Sequence, residues 1–216
     1  MAEDFWKEPT YVPCHTELFG LAGALIPHPR EASFSLLDIG SGSGVFARQV
    51  AEAFPNAQLT LLEQDEALLR QSVQRLGPKA ARADAVVSDW VTEDLPGRHD
   101  VVSIVLSTHL LDAEQKRELY EAAFGALGRA GMLLLATRVR AGTPSVDQAY
   151  RSAWQQQVLA AGAEPERAAQ HLAELKAENL GTVADELAAV SGSGFVEVNC
   201  WYQNLSYALI TGIRPI

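Results

Sequence analysis

Residues 36–46 read LLDIGSGSGVF. An apolar run ends in three glycines that alternate with two serines, and apolar residues then resume. FSLLDIG (34–40) has the length and composition of a buried strand. GVFARQVAEAF (44–54) places apolar residues at Val45, Phe46, Val50 and Phe54, the spacing of one helix face. The stretch is therefore a strand, a glycine turn and a helix. In an open α/β sheet, ligands bind outside the carboxyl ends of the strands. Glycine lets backbone approach a ligand with no Cβ between them, and a helix N-terminus adds free N–H groups and partial positive charge. Gly40, Gly42 and Gly44 read as a cofactor loop.

The same alternation continues outward. AQLTLLE (57–63), DAVVSD (84–89), DVVSIVLS (100–107) and MLLLATRV (132–139) are predicted strands. DEALLRQSVQRLG (65–77) is a predicted helix capped by Gly77, and DAEQKRELYEAAFGALG (112–128) a helix with Asp112 as its N-cap. Upstream, CHTELFGLAGALI (14–26) has helical spacing and stops before Pro27 and Pro29. Strands alternating with helices, each strand apolar on both faces, predict a parallel sheet covered on both sides. Past residue 139 the pattern changes. Residues 146–190 read as two or three helices. GFVEVNCWYQNLSYALITGI (194–213) reads as an antiparallel hairpin joined around Gln203 and Asn204. The expected organisation is one domain over 1–216. Within it lie an N-terminal lid or helix (1–30), a cofactor-binding core (34–139), a helical acceptor-side insertion (146–190) and a C-terminal hairpin (195–213).

The chain has 216 residues, 48% of them apolar, and a net charge of −10. That size supports a full hydrophobic core. The acidity opposes a nucleic-acid backbone as partner, which needs clustered Lys and Arg; Arg138 and Arg140 make only a two-residue basic patch. Cys14 and Cys200 stand far apart and outside any CxxC motif, which predicts reduced thiols, no structural zinc and a cytoplasmic protein. No apolar run reaches the ~20 residues of a membrane span.

Two carboxylates narrow the cofactor. Glu63 ends the second strand, where an acidic residue accepts ribose hydroxyls. Asp89 ends the third, beside Trp90, where a carboxylate can take an exocyclic amine and an indole can pack on a purine. Dinucleotide loops read G-x-G-x-x-G. Here the spacing is G-x-G-x-G, with Val45 at the third glycine's place and Asp38 in the strand end. A carboxylate there suits a ligand bearing ammonium and sulfonium charges, which describes S-adenosylmethionine.

On these residues the chain resembles class I S-adenosylmethionine-dependent methyltransferases. LLDIGSGSGVFARQVAEAFPNAQLTLLEQDEALL (36–69) is similar to the family's first motif and its acidic second-strand end. VVSDWVTEDLPGRHDVVSIVLSTHLLDAEQKRELYEAAFGALGRAGMLLLA (86–136) is similar to the later motifs. The tail resembles a bacterial subgroup with small-molecule or unassigned substrates. The resemblance implies a Rossmann-like, doubly wound, seven-stranded and mostly parallel α/β sheet with an antiparallel last strand and helices on both faces. It implies that Asp38, Gly40, Ser41 and Gly42 line the methionine moiety, that Glu63 holds the ribose, and that Gln64 lies near the adenine. Asp89 and Trp90 would then take the adenine amine and ring edge, with Ser107 near the methionine end. The sequence departs from the family in GRAGM (128–132) and AVSGSGF (189–195). Related enzymes that use a carboxylated cofactor place an arginine where Ala189 stands, so the ordinary cofactor is expected, with S-adenosylhomocysteine as product.

Methyl transfer needs alignment, and a base only where the acceptor must lose a proton. His109, in STHLLD after the fourth strand, is the candidate base; the bland alternative is a histidine bonded to a loop carbonyl or packed on the cofactor. Tyr11 and His15 could reach the acceptor from the N-terminal helix, or that helix could simply pack on the sheet. Tyr150 and Trp154 share a helix face, beside Arg151, as either an acceptor wall or core. The acidic helix AEPERAAQHLAELKAEN (163–179) reads as a solvated surface. The expected partner is a small-molecule acceptor, with no nucleic acid, no membrane, no metal and a possible homodimer. The alternatives are a non-catalytic S-adenosylmethionine-binding module and, opposed by Val45 and the antiparallel tail, an NAD-dependent oxidoreductase. A nucleic-acid methylase is opposed by the net charge and by STHL (107–110) where an N-P-P-Y type tetrapeptide would stand.

Overall fold

The computed structural model describes residues 9–109, 111–177 and 180–216, with side chains for all of these except 174–177. The N-terminal segment expected as a lid therefore lies in part, over residues 1–8, outside the described residues. A helix α1 (His15–Ala24) is followed by β1 (Ser35–Ile39), α2 (Val45–Ala53), β2 (Gln58–Glu63) and α3 (Glu66–Leu76). A short 3₁₀ turn leads to β3 (Ala83–Val87), β4 (His99–Val105), α4 (Ala113–Ala126) and β5 (Leu127–Arg138). Three helices follow, α5 (Pro144–Ala160), α6 (Pro165–Ala177) and α7 (Val183–Gly192), then β6 (Val196–Asn204) and β7 (Tyr207–Ile213).

The strands form one seven-stranded sheet in the order β3-β2-β1-β4-β5-β7-β6. The first five run parallel, and β7 lies antiparallel between β5 and β6. This is the doubly wound sheet with an antiparallel last strand that the resemblance implied. The strand order reverses between β1 and β4, so the glycine turn after β1 sits at the switch point.

Period-two alternation sorts the strand residues onto two faces. Leu36, Leu59, Leu61, Val101 and Leu134 join Phe19, Phe46, Val50 and Trp154 on one side. Leu37, Ile39, Leu62, Val102, Ile104 and Leu135 join Tyr120, Val190 and Phe195 on the other. Helix ends are set locally. Asp65 accepts from the Ala67 and Leu68 amides at the start of α3, and Asp112 with Gln115 forms a capping box on α4. Gly77 closes α3 with a positive φ, as expected.

The structure corrects four expectations. The hairpin turn lies at Leu205–Ser206, because Gln203 and Asn204 still pair with Ala208 and Tyr207. The helix predicted to run to residue 128 stops at Ala126, and the strand predicted from Met132 already begins at Leu127, with Ala130 absorbing the irregularity at a φ of 58°. The sheet is not covered throughout. Residues 88–98 form no helix, and Val86 and Val87 on edge strand β3 stay 40% and 54% exposed. The acidic helix α6 is not wholly solvated, since Ala168 and His171 are buried against the core.

Candidate active site

The carboxyl ends of β1, β2 and β4 meet around residues 40–44. Gly40 and Gly44 have φ of 64° and 78°, a region that side chains make costly. Their bareness also has an internal cause. A Cβ on Gly40 would stand 2.5 Å from Ser107 Cβ and 3.3 Å from Trp90 Cζ2, and one on Gly44 would stand 2.8 Å from Ser72 Cα. The glycines therefore let the protein close on itself, beyond any need to admit a ligand.

Glu63, at the end of β2, is 7% exposed and straps the turn. Its Oε2 accepts the Gly42 N–H at 2.8 Å and its Oε1 accepts the Asp65 N–H at 3.0 Å. A carboxylate has about four acceptor positions, so two remain for hydroxyl donors. The Ser41 N–H donates to the Leu62 carbonyl at 2.9 Å, locking β1 and β2 together at their ends. Asp38, 1% exposed, accepts from Ser103 Oγ at 2.7 Å across the β1–β4 pairing. Ser107 Oγ donates to the Ile39 carbonyl at 3.1 Å. Gln64 is exposed just past β2. Asp89 is exposed too, but it lies two residues beyond β3 and accepts from Thr92 Oγ1 at 2.8 Å. Trp90 is buried, with Leu37, Ile39 and Leu62 around it and its ring edge against Gly40.

Three buried polar atoms here have no hydrogen-bond partner among the described residues: Ser72 Oγ, packed behind Gly44, and two at the loop itself, Ser41 Oγ and Trp90 Nε1. A buried group left unpaired is costly, and a ligand is one way to satisfy it. A glycine turn at a helix N-terminus, a strapped carboxylate and two orphaned donors fit an adenosyl amino acid such as S-adenosylmethionine.

A second cluster lies at the carboxyl ends of β4 and β5, the middle of α5 and α6, and the start of β7. His109 is 4% exposed, Arg138 2%, His171 1% and Trp154 2%. Arg138 stands over the Tyr207 ring, 5.3 Å from its centroid, and the two residues pair in the β5–β7 register. Arg138 is thus no surface basic patch. His171 stacks on Trp154 with centroids 4.6 Å apart. Burial, then Arg138, then His109 push the His171 pKa down to about 3, so this ring is neutral at ordinary pH. Trp154 Nε1 donates to the Tyr11 carbonyl at 3.1 Å and to Tyr207 Oη at 3.2 Å, and Tyr207 Oη donates to that same carbonyl at 3.1 Å.

The structure thus gathers His109, Tyr11 and Trp154 into one buried cluster. The other three expected acceptor residues lie elsewhere. His15 stacks on Phe19 at 4.2 Å, and burial lowers its pKa. Arg151 is held by Asp147 at 2.9 Å and lines a groove of about 210 Å³ with Gln148 and Leu172. Tyr150 Oη accepts from Gln203 Nε2 at 3.4 Å, toward the hairpin. Sequence reasoning missed His171 and Tyr207. The only signal for His171 was its i, i+3 spacing from Ala168 inside a polar helix.

Residues 36–131 match the family model described as a methyltransferase domain. Malonyl-[acyl-carrier protein] O-methyltransferase of Geobacter sulfurreducens is 34% identical over 73 residues, which are 34% of this chain and 26% of that protein. The matched stretches span about a quarter to two fifths of the curated relatives' length. Among solved structures, the S-adenosylmethionine-dependent methyltransferase SibL superposes with a TM-score of 0.64 at 20% identity, covering 100% of this chain and 63% of SibL. CalO1, a methyltransferase in calicheamicin biosynthesis with S-adenosylhomocysteine bound, gives 0.66 at 20% identity over 95% of this chain and 54% of CalO1. These structural likenesses are likenesses of fold. No match among these favours a nicotinamide enzyme. No helix among the described residues is long and apolar enough to cross a membrane. Sheet order, glycine turn and strapped carboxylate agree with that match: over residues 36–131 the chain is similar to a methyltransferase domain, on a sheet that has the fold of S-adenosylmethionine-dependent methyltransferases.

Proposed function

We propose that the protein transfers a methyl group from S-adenosylmethionine to an oxygen atom of a small-molecule acceptor. The observation that carries this reading is the turn at residues 40–44, strapped by Glu63 and bordered by the orphaned Ser41 Oγ and Trp90 Nε1. When bound, S-adenosylmethionine supplies a methyl group on a positively charged sulfur, open to in-line displacement. Gly40, Ser41, Gly42 and Gly44 supply the backbone cradle for its amino-acid end, with Asp38 and Ser107 beside them. Glu63 offers its remaining lone pairs to the ribose. Gln64, Asp89 and Trp90 border the base.

His109 faces the acceptor side and takes the proton from a hydroxyl as it attacks. His171, held neutral, and the Arg138–Tyr207 stack close the site behind it. Tyr11 and Trp154 wall off water, and the N-terminal segment to about residue 30 serves as the cover. Oxygen is the favoured acceptor atom because His109 suits a hydroxyl and because the Geobacter relative is named an O-methyltransferase.

The test is calorimetry and thermal shift with S-adenosylhomocysteine and with NAD. Saturable heat and a raised melting temperature with the first alone support the reading; no response to S-adenosylhomocysteine, or a response to NAD alone, overturns it. In an acceptor screen, His109→Gln should lower turnover about 10²–10⁴-fold on a hydroxyl acceptor and leave S-adenosylhomocysteine affinity within about twofold.

A further inference from the structure

The glycine turn is held from α3 as well as by Glu63. Ser72 of α3 is fully buried, with its Cα 2.8 Å from where a Gly44 Cβ would stand. One turn further along α3, Arg75 reaches the same place. Its Nε donates to the Ser43 carbonyl at 2.8 Å, and its Nη2 donates more weakly to Ser43 Oγ at 3.4 Å. Arg75 is exposed, but the residue it holds is only 4% exposed. A guanidinium bond to a carbonyl is charge-assisted, and the rigid fork fixes direction as well as distance. Arg75 is itself anchored. Its carbonyl is among the last four of α3, which have no partner inside their own helix. Arg48 Nη1 of α2 donates to it at 3.2 Å. So α2 holds α3, α3 holds the turn, and the turn opens α2.

The Arg75 bond pins one peptide plane. The Ser43 carbonyl and the Gly44 N–H belong to the same planar unit and point opposite ways. Arg75 holds the carbonyl, and the Gly44 N–H donates to the Ser41 carbonyl at 3.1 Å. Gly44 has a φ of 78°, and glycine passes between positive and negative φ at little cost. Nothing in the residue itself therefore keeps this plane from turning over. Inverted, the plane would aim its oxygen at the Ser41 carbonyl and open the turn. The two amides before it are fixed by other means: the Ser41 N–H by the Leu62 carbonyl and the Gly42 N–H by Glu63. The Ser43–Gly44 plane leads directly into the N-cap of α2, where Gly44 makes no side-chain cap bond. It thus sets where the first amides of α2 and their partial positive charge point.

We propose that Arg75 is a positioning residue for the amino-acid end of the cofactor: from α3 it fixes the Ser43–Gly44 peptide and so holds the glycine turn in its binding shape. This rests on the S-adenosylmethionine reading. The experiment compares Arg75→Met with the wild type. Met keeps most of the stem, lacks the guanidinium and is close to Arg as a helix former, so this exposed position tolerates the change. Two ligands are titrated by calorimetry: S-adenosylhomocysteine, and methylthioadenosine, which keeps the adenosine and the sulfur but has no amino-acid end. Hydrogen exchange of the Gly44 amide is followed by NMR in the ligand-free protein. Arg75→Met should weaken S-adenosylhomocysteine about tenfold and leave methylthioadenosine within about twofold. The Gly44 amide should exchange about tenfold faster, because its plane has lost one of two pins. A merely structural role would weaken both ligands alike, and simple attraction between the guanidinium and a ligand carboxylate would leave the amide unmoved. The proposal is overturned by either of those results, or by S-adenosylhomocysteine affinity that stays within about twofold. In all three cases the wild type still binds S-adenosylhomocysteine and the cofactor reading stands. A wild type that binds neither ligand is the separate failure, and it sinks that reading and this proposal together.

Discussion

The two ends of the site are built in different ways. The cofactor end comes from neighbouring strand exits of the sheet, and its turn and its strap lie within one βαβ unit: Gly42 and Glu63 are 21 residues apart and share a hydrogen bond. It is mostly backbone, disciplined by one carboxylate. The acceptor end is mostly side chains, drawn from the N-terminal segment, β4, β5, α5, α6 and β7. Its Tyr11–Trp154 bond joins residues 143 apart, and its Tyr11–Tyr207 bond joins residues 196 apart. A site made of local backbone tolerates little change in sequence. A site made of distant side chains can be refitted one residue at a time, which suits a scaffold whose cofactor is fixed and whose acceptor varies.

The hardest blow to the cofactor end is Gly40→Ala. The new Cβ meets Ser107 and Trp90, and the residue keeps a positive φ. We expect a loss of about 3 kcal/mol in stability and more than ~100-fold in S-adenosylhomocysteine affinity, read by chemical denaturation and calorimetry. Gly125→Ala is the matched control. Gly125 lies in α4 with nothing within 4 Å of its would-be Cβ, so the change should stabilise by about 0.5–1 kcal/mol and leave affinity alone. Equal penalties at the two positions would mean that the cofactor end is not defined by its bare backbone.

The contrast between the ends also explains what could be read from the sequence. LLDIGSGSGVF and Glu63 were legible because strand, turn, helix and carboxylate follow one another along the chain, and each leaves its own local signal. Asp112 and Gly77 were legible for the same reason. His171 was not, because its neighbours in sequence are polar and its neighbours in space are Trp154 and Tyr11. Arg138 looked like a surface charge until β7 brought Tyr207 beneath it. The bare face of β3 escaped notice because Val86 and Val87 have the pattern of a covered strand, and only the missing helix at 88–98 exposes them. The hairpin turn slipped by two residues because Gln203 and Asn204 are good turn formers that the β6–β7 register recruits into the ladder instead.

At the acceptor end the sharper probe is pH. His171 is neutral when folded, with a pKa of about 3, and has its ordinary 6.5 when unfolded. Below pH 6.5 the unfolded chain therefore binds a proton that the folded chain refuses, and stability falls as pH falls. At pH 5 this amounts to about 2 kcal/mol. His171→Phe keeps an aromatic ring on Trp154 and removes the titration. Its denaturation midpoint should depend less on pH between 7 and 5 by about that amount. An unchanged slope would mean that α6 opens and wets His171, and the acceptor end would then be looser than the cofactor end.

The smallest expected effect is the most direct test of whether the two ends are separable. Trp154→Phe deletes the indole N–H that serves both the Tyr11 carbonyl and Tyr207 Oη. The carbonyl is not orphaned, because Tyr207 Oη still donates to it. The ring still packs against His171, so the loss is one shared donor and part of an aromatic face, or about 1 kcal/mol of stability. Nothing in the strapped glycine turn touches that donor, and S-adenosylhomocysteine affinity should hold within about twofold. A tenfold loss of that affinity would mean that the aromatic cluster reaches the glycine loop through β4 and β5. The 106–109 turn would then be the hinge that couples the two ends, and acceptor variants of this scaffold could not be made without retuning the cofactor site.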